Sequence, residues 1–193
     1  PRASFVGFLY SALNILEQIV PVKKTDVSES IESLFNIQKS ISSKNLNETN
    51  DALQIAEWIK EIPMVYYPSG LQSAAIRFKN SMQENAKVHV ITEDVIEACH
   101  NGIVAWDKPK NVQPILIRGK DDYVKTKERW EIVKELFHEK GIQYKEIFSQ
   151  EGSILSKLVC LIYLLDYASI YNAIISKTDP TPIKSIDFVK KRL

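Results

Sequence analysis

Between residues 63 and 176 the chain alternates short apolar runs with longer amphipathic ones, and this alternation limits the possible folds more than any other feature. Met64-Val65-Tyr66-Tyr67 is a β-like run closed by Pro68-Ser69-Gly70, and helical spacing follows over 71–85. Val88-His89-Val90-Ile91 reads as a second strand, followed by a helical segment from Glu93 to Cys99. Pro114-Ile115-Leu116-Ile117-Arg118 is a third strand, ended by Gly119. Residues 121–140 place Trp130, Val133, Leu136 and Phe137 on one helix face, with Gly141 as the C-cap residue. Ile142 to Phe148 is a fourth strand, ahead of a strongly apolar helix over 153–176. Strands separated by whole helices pair in parallel, and short strands that are apolar on both faces must be covered on both. The expected fold is therefore α/β: a three-layer αβα sandwich with a mostly parallel sheet, spanning residues 62–193.

A helical segment, 1–61, precedes it. Residues 3–20 carry Phe5, Phe8, Leu9, Leu13, Leu16 and Val20 at helical spacing, and Pro21 closes them. Asp26 or Ser28 is positioned to cap a second helix, and Asn50 a third that runs through Trp58. Near the other end, Asp179-Pro180-Thr181-Pro182 breaks the chain before a last helix over 183–192. The sequence opens Pro1-Arg2-Ala3-Ser4 with no methionine and runs straight into a helical pattern, which reads as a cut edge; a fragment is expected.

Composition excludes several functions. With 25 basic and 24 acidic residues the net charge is +1, so no general attraction to nucleic acid or to a membrane surface is expected. Cys99 and Cys160 cannot build a disulfide framework and lack metal-ligand spacing; with only three histidines besides, no structural zinc site is expected. The apolar runs are broken by polar residues short of membrane-spanning length, and the expected location is cytoplasmic. No GxGxxG, Walker lysine loop or GxSxG elbow is present.

Read by residue type alone, the chemistry stays open. The turn Tyr67-Pro68-Ser69-Gly70 could present N–H groups to a phosphate, but Ser69 is equally an ordinary helix N-cap, the commoner role. Glu84, His100 sixteen residues later and a lysine near the C-terminus could supply acid/base chemistry. Each has a plainer role: a solvated glutamate, an incidental loop histidine, and Lys190 and Lys191 complementing a helix dipole.

Motifs along the whole chain go further. They are Pro1-Arg2-Ala3, Ile62-Pro63-Met64-Val65-Tyr66 leading into Ser69-Gly70, and Arg77-Phe78-Lys79-Asn80 with Glu84-Asn85-Ala86-Lys87. His100-Asn101 with Ile103-Val104-Ala105-Trp106, the run 161–169 and Asp179-Pro180-Thr181-Pro182-Ile183 follow in order. In these the sequence resembles the bifunctional phosphoglucose/phosphomannose isomerases of the sugar isomerase (SIS) superfamily, in their C-terminal portion.

The resemblance implies a SIS-type, flavodoxin-like sandwich and interconversion of glucose 6-phosphate or mannose 6-phosphate with fructose 6-phosphate. It implies Glu84 as the base that moves a proton between adjacent sugar carbons through a cis-enediolate. It implies Arg2 as the cation stabilising enediolate charge, His100 and Lys190 as aids to ring opening, and a homodimer in which His100 enters the neighbouring subunit's site. Where relatives read His-Asn-Glu-Ile-Val-Gly-Trp, this chain has Gly102 and Ala105. The family's serine/threonine phosphate grip lies in the preceding SIS domain, so residues 1–193 alone are expected to be catalytically silent. The alternative reading is a SIS module that binds sugar phosphates without turnover, as a sensor or dimerisation unit.

Overall fold

A computed structural model describes residues 4–108 and 111–193. Among these residues four strands form one sheet: β1 (Ile62–Tyr67), β2 (Ile91–Asp94), β3 (Val112–Arg118) and β4 (Lys145–Phe148). Their order is β2-β1-β3-β4 and all neighbours are parallel, with Val65 opposite both Thr92 and Ile115, and Ile117 opposite Ile147. The helices are α1 (Phe5–Ile15), α2 (Lys24–Ile41), α3 (Asp51–Trp58), α4 (Gln72–Ser81), α5 (Val95–Ala98), α6 (Val124–Glu139), α7 (Ile154–Ile175) and α8 (Lys184–Lys190).

Period-two alternation along the strands divides the core into two layers. Val65, Tyr67, Ile115, Ile117 and Ile147 face α3, α4 and α7. Met64, Tyr66 and Leu116 face the other way, toward α5 and α6, where Trp130 and Phe137 are fully buried. The three-layer parallel sandwich expected from the sequence is thus the observed fold. Residues 48–59 and α2 do not stand apart from it. Ile41, Ala52, Ile55 and Ala56 share one core with Leu161, Leu165 and Ala168 of α7.

Helix α7 holds this layer together. Contrary to the sequence reading, its 22 residues are long and apolar enough to cross a membrane; most of them are instead buried against α2, α3, α4 and the sheet. The polar interruptions noted in the sequence are what tie it in place. Tyr171 donates to the Ile41 carbonyl at 2.7 Å, and Asn172 donates to that of Ala56 at 3.0 Å. Asn50, the expected cap of α3, is fully buried; its side chain accepts from the Leu53 N–H and donates to the carbonyls of Asn45 and Ile41.

Several boundaries differ from the sequence reading. The second strand begins at Ile91 rather than Val88, because Val90 is buried and Val88 packs partly buried in the connecting segment, while the edge strand carries Thr92, Glu93 and Asp94. The fourth begins at Lys145 rather than Ile142; Ile142 and Tyr144 pack on the α6 layer before pairing starts. Lys23, not Asp26 or Ser28, occupies the N-cap of α2, and Ser69 opens a 3-10 turn without a side-chain cap. The helix expected over 71–85 is composite: α4 passes into a π turn, Met82–Ala86. Gly141 does close α6, at φ +66°.

Candidate active site

The site is built on the contact between α4 and α7. Arg77 and Ser81 on α4, and Asn85 in the π turn that continues it, all face α7. Arg77 donates to Asp166 through Nε at 3.1 Å and through Nη2 at 2.9 Å, and Ser81 Oγ donates to the same carboxylate. One turn further, Asn85 Nδ2 donates to Ser169 Oγ at 2.8 Å, and Ser169 Oγ donates to the Asp166 carbonyl at 2.7 Å. The Arg77 guanidinium lies over the Phe5 ring of α1, 5.2 Å from its centroid. This polar ladder crosses the middle of the long apolar helix α7.

Beside it opens a cavity of ≈ 660 Å³. Phe5 and Val6 line one side, and Tyr163, Tyr167 and Tyr171 line another. The three tyrosine rings stack edge-on along α7, 5.1 and 6.0 Å apart. Burial, helped by Tyr167, pushes the Tyr163 hydroxyl up to about 12, so it stays a neutral donor at physiological pH.

Glu84 also lines the cavity, half-buried, and it sits inside the π turn. A π turn fits one extra residue into a helix and frequently marks a functional position. Here Met82, Asn85 and Ala86 remain buried while Glu84 is presented at the cavity wall. Lys87 ends the turn at φ +60°. Pro180 and Thr181, from the segment between α7 and α8, complete the lining beside Glu84.

The other residues expected in the site are dispersed. His100 is exposed and follows α5, in the layer on the far side of the sheet from α4. Its segment is fixed by Trp106, whose Nε1 donates to the Tyr66 hydroxyl at 2.8 Å. Burial raises the Glu93 carboxyl, with Glu97 adding to it, and a Cβ at Gly102 would come within 2.9 Å of the Glu93 Cδ. A side chain at 102 therefore requires Glu93 to swing away. Lys190 is exposed in the last turn of α8. Arg2 lies outside the described residues.

The residues that the sequence reading did not assign to the site are Asp166, Ser169 and the α7 tyrosines. The available signal was Asp166 itself, the single ionised group in the middle of the apolar run 158–175, where an isolated charge needs a partner.

The four-stranded parallel sheet covered by helices on both faces is an α/β sandwich of the SIS type. The chain belongs to the bacterial phospho-glucose isomerase C-terminal SIS domain family, whose pattern matches residues 48–193. It is 29% identical over 202 residues to the bifunctional phosphoglucose/phosphomannose isomerase of Caldicellulosiruptor bescii and 26% identical over 196 residues to that of Aquifex aeolicus. All of this chain is covered in both, but only 59% and 58% of those proteins, so it spans about three fifths of their length. In fold it resembles a glucose-6-phosphate isomerase-like protein from Thermus thermophilus, with TM-score 0.65 and 17% identity over 81% of this chain and 52% of that one. A glucosamine-6-phosphate deaminase from Thermotoga maritima matches with TM-score 0.59 and 11% identity over 92% of this chain and 53% of that one.

Proposed function

We propose that this chain is the catalytic C-terminal portion of an aldose–ketose isomerase, one that interconverts glucose 6-phosphate and/or mannose 6-phosphate with fructose 6-phosphate. The observation that carries the reading is Glu84 in the π turn on the wall of the ≈ 660 Å³ cavity. In the proposed reaction the Glu84 carboxylate takes the proton from carbon 2 of the open-chain aldose, leaving a cis-enediolate. It returns the proton to carbon 1, while the hydroxyl proton on oxygen 2 passes to oxygen 1. Both carbons are served by one carboxylate on one face. Arg2 would stabilise the enediolate oxygens, and His100 and Lys190 would exchange protons with the ring oxygen and anomeric hydroxyl.

The proposed assembly is a cytoplasmic homodimer with His100 donated across subunits. Two observations support it: Glu84 and His100 sit on opposite layers of one chain, and α1 exposes Phe8 and Ile15. The division proposed is 1–61 as the helical segment and 62–193 as the SIS unit, with α2 and α3 of the segment packed into the unit's core.

Incubating the full-length protein with fructose 6-phosphate in heavy water tests the reaction. Proton transfer through an enediolate places deuterium at carbon 2 of the aldose product, seen by NMR. Product formed at an unchanged rate by Glu84→Gln would contradict the base mechanism, whereas protium at carbon 2 in the wild-type product would mean that Glu84 returns its proton before exchange with solvent. Calorimetric binding with no product would favour the non-catalytic module instead.

A further inference from the structure

Lys87 takes no part in the chemistry above, yet its surroundings are unusual. Its backbone lies in the left-handed region, φ +60°, where a side chain carries a steric cost. Its ammonium group reaches back across the site. Nζ donates to the Glu84 carbonyl at 2.6 Å and to the Pro182 carbonyl at 2.9 Å, with the Pro180 carbonyl a longer contact at 3.5 Å. An ammonium has three donors and no acceptor, so three carbonyls match it fully. Two of these carbonyls belong to prolines, which offer no N–H by which the segment could otherwise be held. The segment is itself shaped locally, since Asp179 Oδ1 accepts from the Thr181 N–H at 2.9 Å. That bond, with the Thr181 hydroxyl and the Lys87 charge, holds the Asp179 carboxyl below its ordinary range. Pro180 and Thr181 line the cavity beside Glu84.

We propose that Lys87 is a positioning residue: its ammonium ties the 180–182 segment to the backbone carbonyl of Glu84, fixing the carboxylate and the adjoining cavity wall at one separation. This rests on Glu84 acting as the base. Lys87 itself lies outside the cavity lining, so removing its side chain misaligns the site without removing a substrate contact.

Three variants of the full-length protein separate the possible roles. Lys87→Met removes the cation, Lys87→Arg keeps a charged donor, and Lys87→Gly removes the cation while easing the left-handed backbone. The expected result for Met and Gly alike is a kcat about tenfold to a hundredfold lower, with KM within about threefold, because alignment rather than binding is lost. Arg should recover most of kcat. Amide exchange over 178–183 should accelerate in Met and Gly but not in Arg, with the thermal midpoint of all three close to wild type. Full activity in Lys87→Met would overturn the proposal, as would unchanged exchange over 178–183 or a kcat loss that only follows a lowered midpoint. Glu84→Gln is the control for the underlying reading. If it abolishes turnover while Lys87→Met does not slow it, the clamp is wrong and the base stands. If Glu84→Gln is active, the base assignment fails, and the exchange measurement still decides whether Lys87 holds the segment.

Discussion

Asp166 accepts a bidentate pair of bonds from Arg77 and a third from Ser81, in a setting where each side chain of the ion pair is only about a quarter exposed. Charge-assisted forks of this kind are stronger than surface ion pairs, and removing one partner strands the other in a poorly hydrated place. Asp166→Ala is therefore expected to lower unfolding stability by about 2–3 kcal/mol, read by urea denaturation. Glu29 offers a pH-dependent counterpart. Its Oε1 accepts from the Ser153 N–H at 3.0 Å, at the start of α7, and this bond holds its carboxyl below the ordinary 4.5. A depressed carboxyl contributes stability above its unfolded-state value and loses that contribution as the pH falls through the folded value. The stability gap between wild type and Glu29→Gln should thus be open at neutral pH and close on acidification. A gap that widens in acid would contradict the assignment.

The elements show where sequence is informative and where it is not. Strands β1 and β3 were legible as short apolar runs, α6 as an apolar stripe at helical spacing, and α7 as an apolar run too long for a strand. Strand β2 was displaced in the sequence reading because apolarity reports burial, not backbone pairing. Val90 is buried before the strand begins, and the strand that pairs with β1 is the polar edge Ile91–Asp94. The π turn was invisible for another reason: over five residues its period cannot be told from that of an α-helix. The same limits apply to the site. Glu84 was legible through the family motif but not through spacing. The ladder from Arg77 to Asp166 joins residues 89 positions apart, a pairing that no local pattern encodes. If the π turn is what aims Glu84, deleting the exposed Gln83 should convert Met82–Ala86 to a regular helix. The expected outcome is a kcat loss of about a hundredfold or more, with unfolding stability changed by less than about 2 kcal/mol. Unchanged kcat would show that the turn is incidental.

For the whole molecule, the sheet between α4 and α5 is the decisive feature, because it places Glu84 and His100 in different layers. In the proposed dimer, a site using both takes Glu84 from one chain and His100 from the other. Mixing Glu84→Gln and His100→Gln subunits should regain about a quarter of wild-type activity, since half the dimers are mixed and each holds one intact site. No recovery would mean that His100 acts within its own chain, and about half of wild-type activity, matched by the His100→Gln protein on its own, that it does not act at all. The most direct test of the account is kcat for fructose 6-phosphate isomerisation by the Glu84→Gln variant of the full-length protein. General-base catalysis of this kind contributes about 10²–10⁴ in rate, so a fall of at least about a hundredfold with intact folding is predicted. A rate within twofold of wild type would contradict the account.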